Sequence, residues 1–197
     1  MPNWVKTELE IIGTDEQIQQ VKDFVLDENG NFDFERIVPY PKYWECPKKY
    51  LILPDEITPS DIKMPFGESG LHVERCSLCV MEAYPFLDWY NWRIDNWGTK
   101  WNACDSDVFI NTIYFDTAWS FAAPVIGKLS ELFPDIDFFF KYADEDIGRN
   151  CGSGTASKGD LVYDSLTEFD TMELAIKIWD REDDYKIENG KWKYIEE

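Results

Sequence analysis

The only histidine of the chain lies close to two cysteines, a combination that could bind a metal ion. His72 precedes the Cys-x-x-Cys pair Cys76 and Cys79 by four residues. Imidazole and thiolate groups are ligands of tetrahedral zinc, and Cys46 or Cys104 could complete the set. Structural zinc sites normally have a second ligand pair at standard spacing, which this sequence lacks. We therefore expect reduced thiols, no bound metal and no other cofactor.

Closely spaced carboxylates are the other groups that could do chemistry. They occur as the pairs Asp105/Asp107 and Asp135/Asp137 and as the run Asp144, Glu145, Asp146. General acid–base catalysis needs a carboxylate with a tuned pKa, but a chain with 39 acidic residues contains such pairs by chance. The sequence has no Ser-centred nucleophile elbow, phosphate-binding Gly-Lys-Ser/Thr loop or zinc-protease helix motif. An enzyme is therefore a third-ranked hypothesis, and we expect a protein without catalytic residues.

A tryptophan-rich segment is the most distinctive part of the chain. Five of the nine tryptophans are grouped in it or near it: Trp89, Trp92, Trp97, Trp101 and Trp119. One interpretation is a small core, in which Gly98 allows a tight reversal while Thr99 and Asn102 satisfy backbone groups. The other is a partner-binding hot spot formed by Trp97, Lys100 and Trp101. The structural interpretation is favoured because the segment leads directly into a predicted strand.

The charge of the chain restricts its partners. Asp and Glu outnumber Lys and Arg by 39 to 19, giving a formal net charge of −20. Such a surface repels nucleic acid and anionic lipid but attracts a basic protein. An acidic surface that serves solubility alone is the alternative. Two acidic runs are candidate partner-binding residues: Asp144, Glu145 and Asp146, and Asp180, Glu182, Asp183 and Asp184.

Hydropathy indicates a cytoplasmic protein. The first residues do not resemble a signal peptide. The sequence also contains no run of the ~20 apolar residues that a membrane span requires.

Local patterns predict two strand–helix–strand units around a long insertion. In the first unit, a strand at 6–13 leads into a capping box at Thr14–Gln17 and a helix, and residues 32–37 form the second strand. Residues 39–83 are proline-rich and irregular. The second unit has an inner strand at 108–116, a helix capped by Thr117, a strand at 136–143, a hairpin at 151–163, a helix at 171–179 and a strand at 191–195. We place the hairpin turns at Gly152-Ser153-Gly154 and Lys158-Gly159. These elements predict a single α+β domain over residues 1–197, a ferredoxin-like sandwich with its helices on one face of an antiparallel sheet.

Several short motifs resemble one protein family. They are Met1-Pro2-Asn3-Trp4, Ile37-Val38-Pro39, the stretch from Asn91-Trp92 to Asn96-Trp97-Gly98-Thr99-Lys100-Trp101-Asn102-Ala103, and Phe115-Asp116-Thr117-Ala118-Trp119 before Pro124. Together they resemble the Api-like (YubB-like) ferredoxin-like family of bacteriophage and plasmid proteins. The N-terminal motif of that family has a cysteine after the tryptophan, where this chain has Val5. The resemblance implies a ferredoxin-like fold and an origin on a mobile genetic element, and it implies no catalytic residues.

These observations support one leading hypothesis and one alternative. The leading hypothesis is an accessory protein that inhibits a basic, nucleic-acid-handling host defence protein, such as a CRISPR effector or a restriction enzyme. Its acidic surface would occupy the site meant for nucleic acid. The alternative is a small-ligand or nucleotide-binding module that stacks a base on the tryptophan cluster.

Overall fold

A computed structural model describes residues 2–40 and 89–195. The chain divides into two compact units, Met1–Val38 with Trp97–Glu197 as the first and Pro39–Asn96 as the second. The metal-ligand candidates His72, Cys76 and Cys79, and nearly all of the predicted insertion at 39–83, lie outside the described residues.

The first unit is built on a six-stranded sheet in which every neighbouring pair is antiparallel. The strands are β1 (Trp4–Ile12), β2 (Cys104–Phe109), β3 (Thr112–Ala118), β4 (Asp137–Asp144), β5 (Gly152–Ser157) and β6 (Asp160–Tyr163). They are ordered β2-β3-β1-β4-β5-β6. The first strand of the chain therefore lies inside the sheet, between two strands that follow it by about a hundred residues or more.

Alternation along the inner strands separates a core face from a second face. In β1, Val5, Thr7, Leu9 and Ile11 are fully buried, and the alternate residues Lys6, Glu8 and Glu10 are half-buried or exposed. Because successive side chains of a strand point to opposite faces, Lys6, Glu8 and Glu10 lie on the second face. Phe138 and Phe140 of β4 extend the core face beside β1.

Two helices cover the core face. Helix α1 (Asp15–Val25) begins with the predicted capping box, in which the Thr14 side chain accepts from the Gln17 N–H and the Gln17 side chain accepts from the Thr14 N–H. Helix α3 (Ala123–Leu132) has Pro124 in its first turn and buries Val125, Ile126 and Leu129. The rings of Phe24 and Phe133 meet at 5.5 Å and join the ends of the two helices.

Helix α4 (Glu168–Ile178) lies on the second face, which differs from the prediction that all helices share one face. Its Ala175 and Ile178 form a buried cluster with Ala143 of β4. Ala143 pairs with Lys6 and therefore belongs to the second face. The apolar stripe of a helix does not specify which face of a sheet it will cover, so the sequence pattern left this choice open.

Other local predictions also need correction. Residues 32–37 form a 3-10 turn at Phe34–Arg36 instead of a strand, because the Asp33 side chain caps the turn. Residues 108–116 do not form one strand, because β2 and β3 meet there in a hairpin. Thr117 does not cap a helix; its hydroxyl donates to the Ser120 carbonyl oxygen. The Gly152-Ser153-Gly154 segment lies within β5, whereas the predicted turn at Lys158-Gly159 is confirmed.

The C-terminal hairpin forms a separate two-stranded sheet from β7 (Tyr185–Glu188) and β8 (Lys191–Tyr194). A lone hairpin is only marginally stable in water. Here Trp192 of β8 stacks on Phe169 of α4, with ring centroids 5.8 Å apart. None of the helices in the described ranges is both long enough and apolar enough to cross a membrane.

The second unit is described only at its two ends. Helix α2 (Trp89–Trp97) begins in this unit, and its last residue, Trp97, belongs to the first unit. Trp92 is buried, and its ring packs edge-on against Tyr40 at 4.7 Å between centroids. The Asn96 side chain donates to the Trp92 carbonyl oxygen. Trp92 is thus part of a small aromatic core, in agreement with the structural interpretation of the tryptophan-rich segment.

Candidate functional site

Trp97 is a core residue of the first unit. Its side chain is 0% exposed, and its indole N–H donates to the Val38 carbonyl oxygen at 2.8 Å. Its ring packs against Phe34 at 5.8 Å between centroids. The predicted partner contact through Trp97 is therefore not supported by its position, because a partner cannot reach this ring.

The polar residues of the motif hold the backbone together. Gly98 has φ +78°, and a Cβ there would meet Pro124 Cδ at 2.8 Å, so only glycine fits this reversal. The buried Thr99 hydroxyl donates to the Ala118 carbonyl oxygen at 2.8 Å. The Asn102 side chain accepts from the Phe34 N–H and donates to Asp33. These contacts agree with the predicted structural roles of Gly98, Thr99 and Asn102.

Two other residues of the motif reach a different place, at the end of the sheet where β1 begins. Lys100 Nζ lies 4.6 Å from the ring centroid of Trp101 and 4.8 Å from that of Trp119. The Trp101 ring in turn lies 6.0 Å from that of Trp4. We call these four residues, Trp4, Lys100, Trp101 and Trp119, the tryptophan end. Because a lysine over an indole face is attracted by the ring quadrupole, Lys100 holds two tryptophans together.

Trp119 has an unusual backbone conformation at the surface. Its φ is +72°, which is rare for a bulky residue, and its side chain is 43% exposed. Hydrogen bonds fix this conformation on both sides: the Trp119 N–H donates to the Asn3 carbonyl oxygen, and the Asn150 side chain donates to the Trp119 carbonyl oxygen. Backbone strain held in this way is concentrated at functional sites.

A half-buried carboxyl group lies on the second face close to the tryptophan end. Asp116 of β3 pairs with Lys6 of β1 on one side and Cys104 of β2 on the other. Burial raises the pKa of Asp116 to about 6; Lys6 opposes the rise, while Asp105 and Glu145 add to it. Lys6 Nζ also lies 4.5 Å from the Trp179 ring centroid. Perturbed carboxyl groups mark candidate sites, so Asp116 joins the residues to be tested.

Residues of both acidic runs lie near this end of the sheet. The Glu145 N–H donates to the Trp4 carbonyl oxygen, which places the exposed Glu145 and Asp146 next to the tryptophan end. The Trp179 indole donates to the Ala143 carbonyl oxygen at 3.0 Å, so the exposed Asp180 follows close to the end of β4. Both runs therefore supply exposed carboxylates to the same end of the sheet.

Not every member of the runs is available to a partner. Asp144 is only 6% exposed, and its carboxylate accepts from the Asn3 and Asn150 side chains and from the Asp146 N–H. Its role is thus structural. Asp184 accepts from Arg181 at 2.7 Å, whereas Glu182 and Asp183 are exposed in the adjoining 3-10 turn.

The described residues offer no metal centre. Within 2–40 and 89–195, no three His, Cys, Asp or Glu side chains are grouped to hold an ion. Cys104 and Cys151 are free thiols, and burial raises the pKa of each. A thiol with a raised pKa is mostly protonated at neutral pH, so it is a poor nucleophile and a poor metal ligand.

Three residues of this region are not among the predicted site residues. They are Trp4, Asp116 and Trp119, which occur only in the family motifs or in the tryptophan cluster. Trp4 had a usable signal, because alternation from Val5 places it on the second face of β1. Asp116 and Trp119 had no such signal in the sequence. The burial of Asp116 and the positive φ of Trp119 depend on strands that are distant in sequence.

Comparisons with known proteins give a family match and a similar solved structure. A search of curated proteins gives no significant match. The crystal structure of protein Api92 from Yersinia pseudotuberculosis is similar over 85% of this chain and 98% of that chain, with 11% identity and a TM-score of 0.48. Residues 96–188 match the family described as the ferredoxin-like domain in Api92-like protein. The predicted α+β fold is thereby confirmed, and residues 96–188 are similar to the ferredoxin-like domain of Api92-like proteins.

Proposed function

We propose that this chain is a non-enzymatic binding protein that covers the basic, nucleic-acid-contacting surface of a host defence protein. The observation that carries the proposal is the surface position of Trp119, 43% exposed at φ +72° and hydrogen-bonded on both sides. A rigid indole at a surface loses little entropy on binding, which suits an interface anchor.

The charges around the anchor support a basic partner. Glu145, Asp146 and Asp180 are exposed next to the tryptophan end, in a chain whose formal net charge is −20. Complementary charge accelerates encounter, whereas buried aromatic anchors mainly determine dissociation. The resemblance to Api-like proteins of phages and plasmids supports a host defence protein, such as a CRISPR effector or a restriction enzyme, as the target class.

The nucleotide-binding alternative has less support. A base that stacks on the ring face covered by Lys100 would have to displace its ammonium group, which lies within 4.8 Å of the ring centroids of both Trp101 and Trp119. The surrounding carboxylates would also repel the phosphates of a nucleotide. A protein partner with arginines or lysines fits the same surface without this repulsion.

The experiment is capture from bacterial lysate on the immobilised chain, followed by competition. We expect the captured protein to bind duplex DNA or RNA. In anisotropy titrations, the chain and the nucleic acid should compete for that protein. Trp119→Ala should raise the dissociation rate, and Glu145→Lys with Asp146→Lys should slow association and reduce its salt dependence. Ile187→Ser is the matched control, because Ile187 is 54% exposed on the separate hairpin. Simultaneous binding of nucleic acid and chain, or an unchanged Trp119→Ala variant, would contradict the proposal.

A further inference from the structure

Helix α4 covers only part of the second face, and it lies across the strands. Its Asp170, Glu173 and Lys177 line a groove of about 320 Å³ together with Glu8, Lys141 and Ser153 of the sheet. Glu8 pairs with Lys141, and Lys141 pairs with Ser153, so these three residues form one row running across β1, β4 and β5. Residues along one side of α4 follow this row, so the helix axis is transverse to the strands.

The next row of the same face is not covered by α4 in the described structure. It crosses β1 at Glu10, two residues after Glu8. Its six residues are paired in series from one edge of the sheet to the other. We call it the outer row, and it consists of Phe109, Thr112, Glu10, Phe139, Thr155 and Val162.

The outer row presents apolar side chains to solvent. Phe109 is 65% exposed and Val162 is 68% exposed at its two ends, and Phe139 is half-buried between them. Ile12, on the same face by alternation, adds a side chain that is 49% exposed. Aromatic and aliphatic groups aligned in this way mark an interaction surface.

Carboxylates lie within and beside the outer row. Glu10 is a member of the row, and alternation places the exposed Asp107, Asp137 and Asp160 beside it on the same face. The only lysine of the two rows, Lys141, is paired with Glu8 at 3.4 Å. On the flank of α4, Lys177 is paired with Glu173 at 3.0 Å. The strip thus has apolar side chains at its two ends and at Phe139, a carboxylate within it at Glu10, and further carboxylates along its margins.

The dimensions fit a helix. Five strand spacings of ~4.8 Å make the outer row ~24 Å long, the length of a helix of about 16 residues. The outer row lies ~7 Å beyond the row of Glu8, Lys141 and Ser153, which α4 flanks, so a helix seated on the outer row would run beside α4. We infer that the outer row binds an amphipathic, basic helix of a partner protein, lying beside α4. A second copy of the chain is a poor occupant, because both surfaces would carry the same negative charge.

The test is fluorescence anisotropy with the full chain and a labelled helical probe. The probe is a peptide of about 16 Leu and Lys residues with Leu at i, i+3, i+4 and i+7. A peptide of the same composition in alternating order is its control. We expect the helical peptide to bind at least tenfold more tightly than the alternating one, and more weakly as salt is raised.

Variants separate this surface from the tryptophan end. Phe109→Ser with Val162→Ser should weaken peptide binding at least tenfold, and both sites are exposed enough that the thermal melt should not move. Ile187→Ser and Trp119→Ala should leave peptide binding unchanged, which makes the result independent of the proposed function. If the Phe109/Val162 variant bound the helical peptide as tightly as the wild type does, the inference would be overturned. A dimer in sedimentation velocity that the same variant dissociates would overturn it too, because the occupant would then be a second copy.

Discussion

Replacing Asp116 by Asn should stabilise the protein at neutral pH and have no effect in acid. Burial raises the pKa of this carboxyl from 3.8 to about 6, so the folded state favours the protonated form. The stability that this shift provides is fully present below pH 3.8 and is lost as the pH rises through about 6. At pH 7.5 the folded protein therefore holds a carboxylate that would be better solvated in the unfolded chain. The amide side chain of the Asp116→Asn variant has no such charge.

The size of the effect follows from the shift. A difference of about two pKa units corresponds to ~3 kcal/mol as an upper limit. Because Asp116 is only half-buried, solvent screening reduces this value, and we expect about 1 kcal/mol. For a chain of this length, that gain raises Tm by about 2–4 °C.

The assay is urea unfolding of the wild type and of Asp116→Asn at pH 7.5 and pH 4. The difference in free energy of unfolding should be about 1 kcal/mol at pH 7.5 and close to zero at pH 4. Other carboxylates also titrate over this range, but they are common to both proteins and cancel in the difference. Asp107→Asn, an exposed substitution on β2, is the control and should change the free energy by less than ~0.5 kcal/mol. Equal stability at pH 7.5, or a gain that persists at pH 4, would refute the reasoning.

Three further predictions concern the core, the motif and the charge. Trp97→Ala should lower the free energy of unfolding by about 3–5 kcal/mol, whereas Trp119→Ala should change it by less than ~1 kcal/mol, as measured by urea titration; equal losses would show that the two rings are not core and surface. Gly98→Ala should cost more than ~1 kcal/mol, because a Cβ at φ +78° meets Pro124 Cδ at 2.8 Å; thermal melts that coincide with the wild type would contradict this. The chain should not shift mixed-sequence duplex DNA in a gel at low salt, because its formal net charge is −20; micromolar binding would reverse the charge argument.

Local chemistry allowed part of the fold to be predicted. The capping box at Thr14–Gln17 and the strands β1, β4 and β8 depend on neighbouring residues, and each was predicted close to its position in the structure. The β2–β3 hairpin was missed because its turn uses Ile110 at φ +53°, and a β-branched residue is not a turn signal. Long-range contacts stabilise that turn: the Lys22 ammonium and the Ile110 carbonyl oxygen are hydrogen-bonded, and the Asn111 side chain donates to Glu10 and to the Ile11 carbonyl oxygen.

The candidate site was only partly predictable for the same reason. The sequence predicts Lys100, Trp101, Glu145, Asp146 and Asp180 as binding residues, but their position near one end of the sheet depends on long-range contacts. It also included Trp97 and Asp144, whose types suit an interface but whose burial depends on residues far along the chain. Composition identifies which residues can bind a partner, and tertiary packing determines which of them are at the surface.

The inner position of β1 has a consequence for biosynthesis. Its partners in the sheet are Thr112–Ala118 and Asp137–Asp144. The strand pairing of β1 can therefore be completed only after Asp144, the partner of Val5, has been synthesised. At translation rates of about 5–20 residues per second, that delay is on the order of ten seconds. During this interval a β-rich segment with two unpaired edges is exposed to other nascent chains. Lys6, Glu8 and Glu10 interrupt its apolar residues with charge, as gatekeepers against aggregation do. The same side chains that form the second face of the folded sheet would thus protect the strand while the ribosome is still making its neighbours.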